Sequence, residues 1–304
     1  MMVDTIVIGA GAAGLFAASQ ASKLGKQVLV LEHSNKIGEK IRISGGGRCN
    51  FTNVGASPEN YLSQNPHFCK SAFSAYAADD FIRLVESYKI PYHEKKLGQL
   101  FCDESSQAII DLLLNEAKQV KIFKQCSVAA ITKGERFLLK TNKGEFETKQ
   151  LIIATGGLSI PQLGASDFAY RMAKQFDLNV IEPKPGLVPF TCRQEQVAEL
   201  AGISFDSLVT LRKTSFRENI LFTHRGLSGP AILQISSYWN SGETITINLL
   251  PDRDLYQELI DQKSSTKLIK SHLDFPEKFI TKLGEEFDLS QKLCETSNAK
   301  LKAI

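Results

Sequence analysis

The 304-residue sequence is poor in several things that would narrow its chemistry at once. It has one tryptophan, three methionines and five histidines. No His/Cys group stands at zinc-ligand spacing, so no metal centre is expected. Six cysteines (Cys49, Cys69, Cys102, Cys126, Cys192, Cys294) lie far apart with no CxxC pair. That usage excludes a disulfide framework and points to free thiols in the cytoplasm. Neither sign of charge dominates: 36 Lys and Arg meet 33 Asp and Glu, a net charge of +3. The balance argues against a nucleic-acid partner. The one long uncharged run, residues 5–22, contains Gly9, Gly11 and Gly14 and follows only Met-Met-Val-Asp. Without a basic stretch before it or unbroken apolar length, it reads as neither signal peptide nor membrane span.

What is present suits a two-part globular chain, with 43% apolar residues to build cores. The run VDTIVI, a glycine cluster, an Ala-rich segment and QVLVLE spell strand, turn, helix, strand, the first unit of a doubly wound α/β sheet. Apolar residues at helical spacing over residues 66–88 predict one amphipathic helix, and Ser105 or Ser106 is placed to cap another. Asn142-Lys143-Gly144, between FLLKT and EFETK, predicts a hairpin, and residues 166–178 a helix. Pro183, Pro185 and Pro189 mark a boundary, giving domains at 1–185 and 186–304. The second is β-leaning, with strands expected at 209–212, 220–223 and 244–250, then helical. Residues 289–304 keep helical spacing to Ile304.

The chemistry-bearing signals begin with GAGAAG, where Gly9, Gly11 and Gly14 have GxGxxG spacing and Glu32 ends the following strand. The first glycine permits the turn, the second admits a pyrophosphate to the backbone, and the third lets helix pack on strand. The anion then meets a helix N-terminus. Glu32 can accept from both hydroxyls of an adenosine ribose and repels a 2′-phosphate, which favours FAD or NAD over NADP. A second glycine-rich stretch, KIRISGGGRCNFTN, leaves the carboxyl end of that strand, where ligands of such sheets bind. So much bare backbone is costly. A loop that faces the rest of the dinucleotide, with Lys40 and Arg48 to neutralise charge, accounts for it and points towards a flavin.

GAGAAG with Glu32, GEKIRISGGGRCNFTN, LIIATGGLSIPQLGA, GLVPF and FTHRGLSGPAILQIS together resemble the HI0933-type flavoproteins, also described as the BaiN/YhiN group of NAD(P)/FAD-dependent oxidoreductases. The resemblance implies a Rossmann-like FAD-binding domain of the two-dinucleotide type, with an inserted β-rich domain and a small helical part. It implies that Gly9, Gly11, Ala13, Gly14 and Glu32 hold the ADP half of FAD. Lys40, Ser44, Gly45, Gly46, Gly47, Arg48, Cys49 and Asn50 would line its flavin and phosphate side, Val128 would meet adenine, and Thr155, Gly156 and Gly157 would pass near the dinucleotide. The sequence departs from the pattern at Gly98-Gln99-Leu100-Phe101-Cys102, where an arginine and a Phe-Pro pair are usual. A further carboxy-terminal segment of the family that returns over the flavin is not found before Ile304. The chain is therefore read as truncated, with weak retention of FAD expected.

The activity implied is FAD-dependent reduction of an unsaturated or oxo-containing small molecule, with NAD(P)H as a transient electron donor, since no second GxGxxG is present. Alternatives are a flavin-binding or RNA-associated protein without catalysis, and an inactive remnant. The flavin carries the chemistry of such a reaction, so no acid-base set is required. His224 and Arg225, beside Ser228, are candidates for touching substrate. They fit equally well as a turn that starts the helix AILQIS. Cys49 is a third candidate, by adduct or thiolate attack, although a structural thiol is the simpler reading.

Overall fold

The last three residues of VDTIVI, Ile6, Val7 and Ile8, alternate between two cores. In the computed structural model, which describes residues 1–192 and 197–304, strand β1 (Met2–Ile8) sends Val7 to one face of a sheet and Ile6 and Ile8 to the other. Strand β2 (Val28–Leu31) does the same, with Val28 and Val30 on the first face and Leu29 and Leu31 on the second. A strand covered on both sides has no use for polar alternation, hence the unbroken apolar runs.

Contacts divide the chain into two units, Met1–Ile181 and Glu182–Ile304. The first begins with β1, α1 (Ala12–Lys23), β2, α2 (Glu39–Ile43) and β3 (Asn50–Asn53). It continues through α3 (Lys70–Ala75), α4 (Ala78–Ser87), β4 (Tyr92–Glu94), β5 (Gln99–Cys102) and α5 (Gln107–Glu116). It closes with β6 (Lys121–Phe123), β7 (Val128–Lys133), β8 (Phe137–Thr141), β9 (Gly144–Ile153) and α6 (Phe168–Gln175). The six-stranded sheet has the order β6-β2-β1-β9-β8-β7. Its first four strands are parallel and the last three form an antiparallel meander. Helices α1 and α5 cover one face through Leu15, Ile110 and Leu113. Met172 of α6 and Ile131, Leu139 and Phe146 of the meander fill the other. Fully burying such a side chain contributes about 1.5–3 kcal/mol, so the two faces together fix β1 at the centre. This is a Rossmann-type α/β architecture.

A small antiparallel sheet, β3-β5-β4, stands beside it. There the expectation of one helix over residues 66–88 fails. Tyr76 is extended (φ −155°, ψ 104°), and a new helix starts after Ala77, whose amide donates to Asp80 Oδ2 at 2.7 Å. The aspartate three residues inside α4 satisfies an amide at the start of that helix, so two short helices replace one.

The second unit holds a five-stranded antiparallel sheet, β10-β13-β12-β11-β14. Its strands are β10 (Phe190–Thr191), β11 (Ser204–Leu211), β12 (Thr214–Thr223), β13 (Gly226–Ser228) and β14 (Thr246–Asn248). Helix α7 (Pro230–Ser236) packs Ala231, Ile232 and Ile235 on Val209, Leu211 and Ile220. Three further helices, α8 (Leu255–Asp261), α9 (Glu277–Leu283) and α10 (Asn298–Ala303), surround a core of Leu259, Ile269, Leu273, Leu293 and Leu301. Residues 289–304 are not one helix: a 3-10 turn at Leu293–Glu295 and an extended Thr296 precede α10, whose Ser297 cap accepts from the Lys300 amide. Among the described residues no helix is long and apolar enough to cross a membrane.

Candidate functional site

At the carboxyl ends of β1, β2 and β9 the strands hand over to loops that enclose a cleft of about 690 Å³. Its floor is the turn between β1 and α1. Gly9 has φ +104°, and a Cβ there would lie 2.5 Å from the Ala154 carbonyl oxygen. A Cβ on Gly14 would lie 1.9 Å from the Gly9 carbonyl oxygen. Gly11 is different: a Cβ there would meet nothing within 4 Å, so its missing side chain leaves open space in the cleft. Helix α1 starts at Gly11 with no side-chain cap and no acidic residue in its first turn. Its first amides and the positive end of its dipole therefore face the cleft with no carboxylate from the helix's own first turn against them.

One wall carries Glu32, only 7% exposed. The Ala10 amide donates to its Oε2 at 2.6 Å, the Ser34 amide donates to Oε1 at 2.8 Å, and His33 Nδ1 lies 3.0 Å from Oε1. A carboxylate has about four acceptor positions, so the side chain is fixed and can still accept from a ligand. Val128 borders the same end. The opposite wall carries Thr155 and Gly156. The Thr155 hydroxyl is buried with no hydrogen-bond partner among the described residues. Lys40 Nζ donates to Ser159 Oγ at 3.1 Å and stands over Gly156, where a Cβ would be 3.5 Å away.

The expected cofactor residues thus separate into groups. Gly9, Gly11, Ala13, Glu32, Lys40, Val128, Thr155 and Gly156 border the cleft. Gly14 lies beneath its floor as a packing glycine. Gly157 stands next in the chain with the Tyr170 hydroxyl nearby. Ser44 to Cys49 form a separate loop that leads into the small sheet, whose strand β3 begins at Asn50. Gly45, Gly46 and Gly47 take φ of +57°, +67° and +89°, and Cys49 follows at +53°. The loop packs so closely that a Cβ on Gly45 would be 2.7 Å from the Phe101 ring. Arg48 and Asn50 are exposed. Cys49 is buried opposite Cys102, and burial raises both thiols, Cys102 to about 11. Both are protonated near neutral pH, which disfavours thiolate attack.

His224 and Arg225 occupy the exposed turn between β12 and β13 in the second unit. There the Arg225 amide donates to Thr223 Oγ1 at 3.3 Å and the Cys192 amide to the Arg225 carbonyl. Ser228 ends β13 and Gly229 caps α7. The cleft also has lining that motif reading passes over: His33, Lys36 and the wall from Leu163 to Ser166. His33 follows Glu32 directly and was findable from that position. The wall comes from the loop after β9; Leu163, Gly164 and Ala165 close the run LIIATGGLSIPQLGA quoted above, but no role was expected of them there.

Among the described residues no group of three or more His, Cys, Asp or Glu could hold a metal ion.

Comparison with known proteins gives a consistent family, and relatives whose names point away from a small molecule. The profile of the HI0933-like protein Rossmann domain matches residues 3–248. The ribosomal RNA dihydrouridine synthase of Escherichia coli is 51% identical over 269 residues, 86% of this chain and 67% of that protein. Its counterpart in Haemophilus influenzae is 48% identical over 273 residues, 86% and 68% of the two chains. The 3-dehydro-bile acid delta(4,6)-reductase of Clostridium scindens is 26% identical over 311 residues, 92% and 74%.

All three relatives bear the names of enzymes, and the two most similar are named for ribosomal RNA. That overturns the expectations of a small-molecule substrate and of no nucleic-acid partner. The second rested on total charge, which averages over an uneven chain: residues 1–181 carry 21 Lys and Arg against 17 Asp and Glu, residues 182–304 carry 15 against 16. From a match that runs from β1 to β14, and from relatives at half identity, the chain belongs to the HI0933-like Rossmann-domain family.

Proposed function

We propose that this protein is an FAD-dependent oxidoreductase that reduces uridine to dihydrouridine in ribosomal RNA. The observation that carries the reading is the identity of about half its residues with two ribosomal RNA dihydrouridine synthases over most of its length. Dihydrouridine differs from uridine by two hydrogens across the C5–C6 bond. FAD, when bound, supplies redox chemistry of that kind.

The residues of the cleft fit a dinucleotide. The uncapped start of α1 and the open space at Gly11 suit a pyrophosphate, which would accept hydrogen bonds from amides that α1 leaves free. Glu32, held by the Ala10 and Ser34 amides, would accept from the ribose hydroxyls. The orphaned Thr155 hydroxyl is a buried group in want of a partner, and a ligand in this cleft would give it one. Val128 would border the adenine, and Lys40, over Gly156, would place a positive charge beside the phosphates. The glycine loop from Ser44 to Asn50 would face the flavin half, with open space at Gly46 for close approach. A reduced nicotinamide would dock transiently as electron donor.

The test is direct. Purified protein is incubated with FAD, a reduced nicotinamide and an unmodified ribosomal RNA transcript, and the RNA is digested and weighed by mass spectrometry. A uridine gaining two hydrogens at one position is expected. Oxidation of the nicotinamide without any dihydrouridine would overturn the substrate, and failure of FAD to bind would overturn the cofactor.

A further inference from the structure

Residues 117–144 contain seven Lys and Arg and a single Glu, a concentration that the near-neutral total conceals. Part of it lies along one edge of the six-stranded sheet. Strand β6 is the outer strand of the parallel half of the sheet. Lys121 lies on it, with Lys118 just before and Lys124 just after, and all three are exposed. Lys143 comes from elsewhere, the turn between β8 and β9, yet its Nζ donates to the Lys124 carbonyl at 2.7 Å. That turn is pinned in place by Asn142. Its amide donates to the Ser127 carbonyl, its Oδ1 accepts from the Ser127 amide at 2.8 Å, and its Nδ2 donates to the Gln125 carbonyl at 3.1 Å.

Other cations of the segment are engaged: Lys140 faces Glu145 and Lys133 lies over the Phe137 ring. For Lys118, Lys121, Lys124 and Lys143 no ion pair is recorded among the described residues. The nearby Glu116 is bonded to Lys23 and to the Tyr88 hydroxyl, and Lys118 adds only a weaker attraction to it. Lysines do guard outer strands against unwanted pairing, but a three-residue strand needs no fourth lysine from another turn. A row of unpaired ammonium groups along one sheet edge offers successive contacts to the evenly spaced phosphates of a polyanion.

We infer that Lys118, Lys121, Lys124 and Lys143 form a docking surface for the phosphate backbone of a structured RNA. This rests on the proposed function for the identity of the polyanion. It concerns affinity and positioning, not the chemical step, because none of the four lines the cleft.

The experiment compares the wild-type protein with a variant carrying Lys118→Gln, Lys121→Gln, Lys124→Gln and Lys143→Gln. Binding of an unmodified ribosomal RNA transcript is titrated between about 50 and 200 mM salt. Loss of four phosphate contacts should lower the slope of log affinity against log salt by about 3, at 0.7–0.9 per contact. Affinity at about 0.1 M salt should fall at least about tenfold, with FAD binding unchanged. An unaltered slope and affinity would overturn the surface and leave the lysines as strand guards or contacts for an acidic protein. Should the fourfold variant not fold, Lys121→Gln and Lys124→Gln singly should each lower the slope by roughly 0.7–0.9, and no change in either would be equally fatal. Steep salt-dependent binding without dihydrouridine would remove the proposed function and keep the surface. Dihydrouridine formed by wild type and variant with equal KM would do the reverse.

Discussion

Ala10 and Glu32 are 22 positions apart in sequence and 2.6 Å apart in the fold, where the backbone amide of the first donates to Oε2 of the second. The residue expected to read a ribose is thus also the brace that holds the turn between β1 and α1 against the end of β2.

Glu32→Gln should therefore harm both roles. A carboxamide presents a donor where Ala10 and Ser34 already donate. A hydrogen bond to a charged group contributes about 1.5–3 kcal/mol. Titration with FAD should show a dissociation constant about 10–100-fold higher, and denaturant unfolding of the FAD-free protein should show a lower midpoint.

Gly11→Ala and Gly14→Ala separate binding from packing. The methyl at residue 14 meets a carbonyl oxygen, and overpacking of that kind costs about 1–3 kcal/mol, so thermal unfolding should drop. The methyl at residue 11 meets open cleft, so the melting temperature should hold while FAD affinity falls. Equal loss of stability in both variants would contradict the geometry.

Thr155→Val replaces the orphaned hydroxyl by a methyl of similar size. A buried polar group without a partner costs about 1–3 kcal/mol. The FAD-free variant should be as stable as wild type or more so, whereas its FAD affinity should be about tenfold weaker. Calorimetric melting with and without FAD reads both.

Alkaline stability should report on Cys102. Its thiol titrates near 9 when exposed and is pushed up to about 11 in the fold, chiefly by burial and secondarily by Cys49. A group raised in the folded state stabilises fully below its unfolded value and loses that contribution as pH rises through the folded one. Stability should fall between about pH 9 and 11, by up to about 3 kcal/mol from this thiol. Cys102→Ala should flatten that stretch of the urea-midpoint profile.

How much of this was legible in the sequence depends on how local each signal is. Gly9, Gly11, Gly14 and Glu32 announce a strand-turn-helix unit with a cleft at its turn because all their requirements are met within one strand, one turn and one helix. Asn142-Lys143 announced a hairpin for the same reason. The single helix over residues 66–88 failed because apolar spacing persists across Tyr76, while the Asp80 side chain, three residues into α4, ends the amide ladder of the first helix and begins another. Leu163 to Ser166 reach the cleft only through the tertiary fold. The partner was misjudged for a physical reason as well: electrostatic recognition depends on where charges lie, and a sum over 304 residues discards position.

The central place of β1 has a consequence for synthesis. Its register with β9 pairs Met2 with Glu147 and Ile8 with Ile153, so the strand made first waits for one made about 145 residues later. At 5–20 residues per second that interval is roughly 7–30 s, during which β1 can pair with β2 but keeps its other edge bare. The nascent chain thus carries an apolar, unpaired strand edge, the kind that chaperones shield, until the ribosome has delivered its missing neighbour.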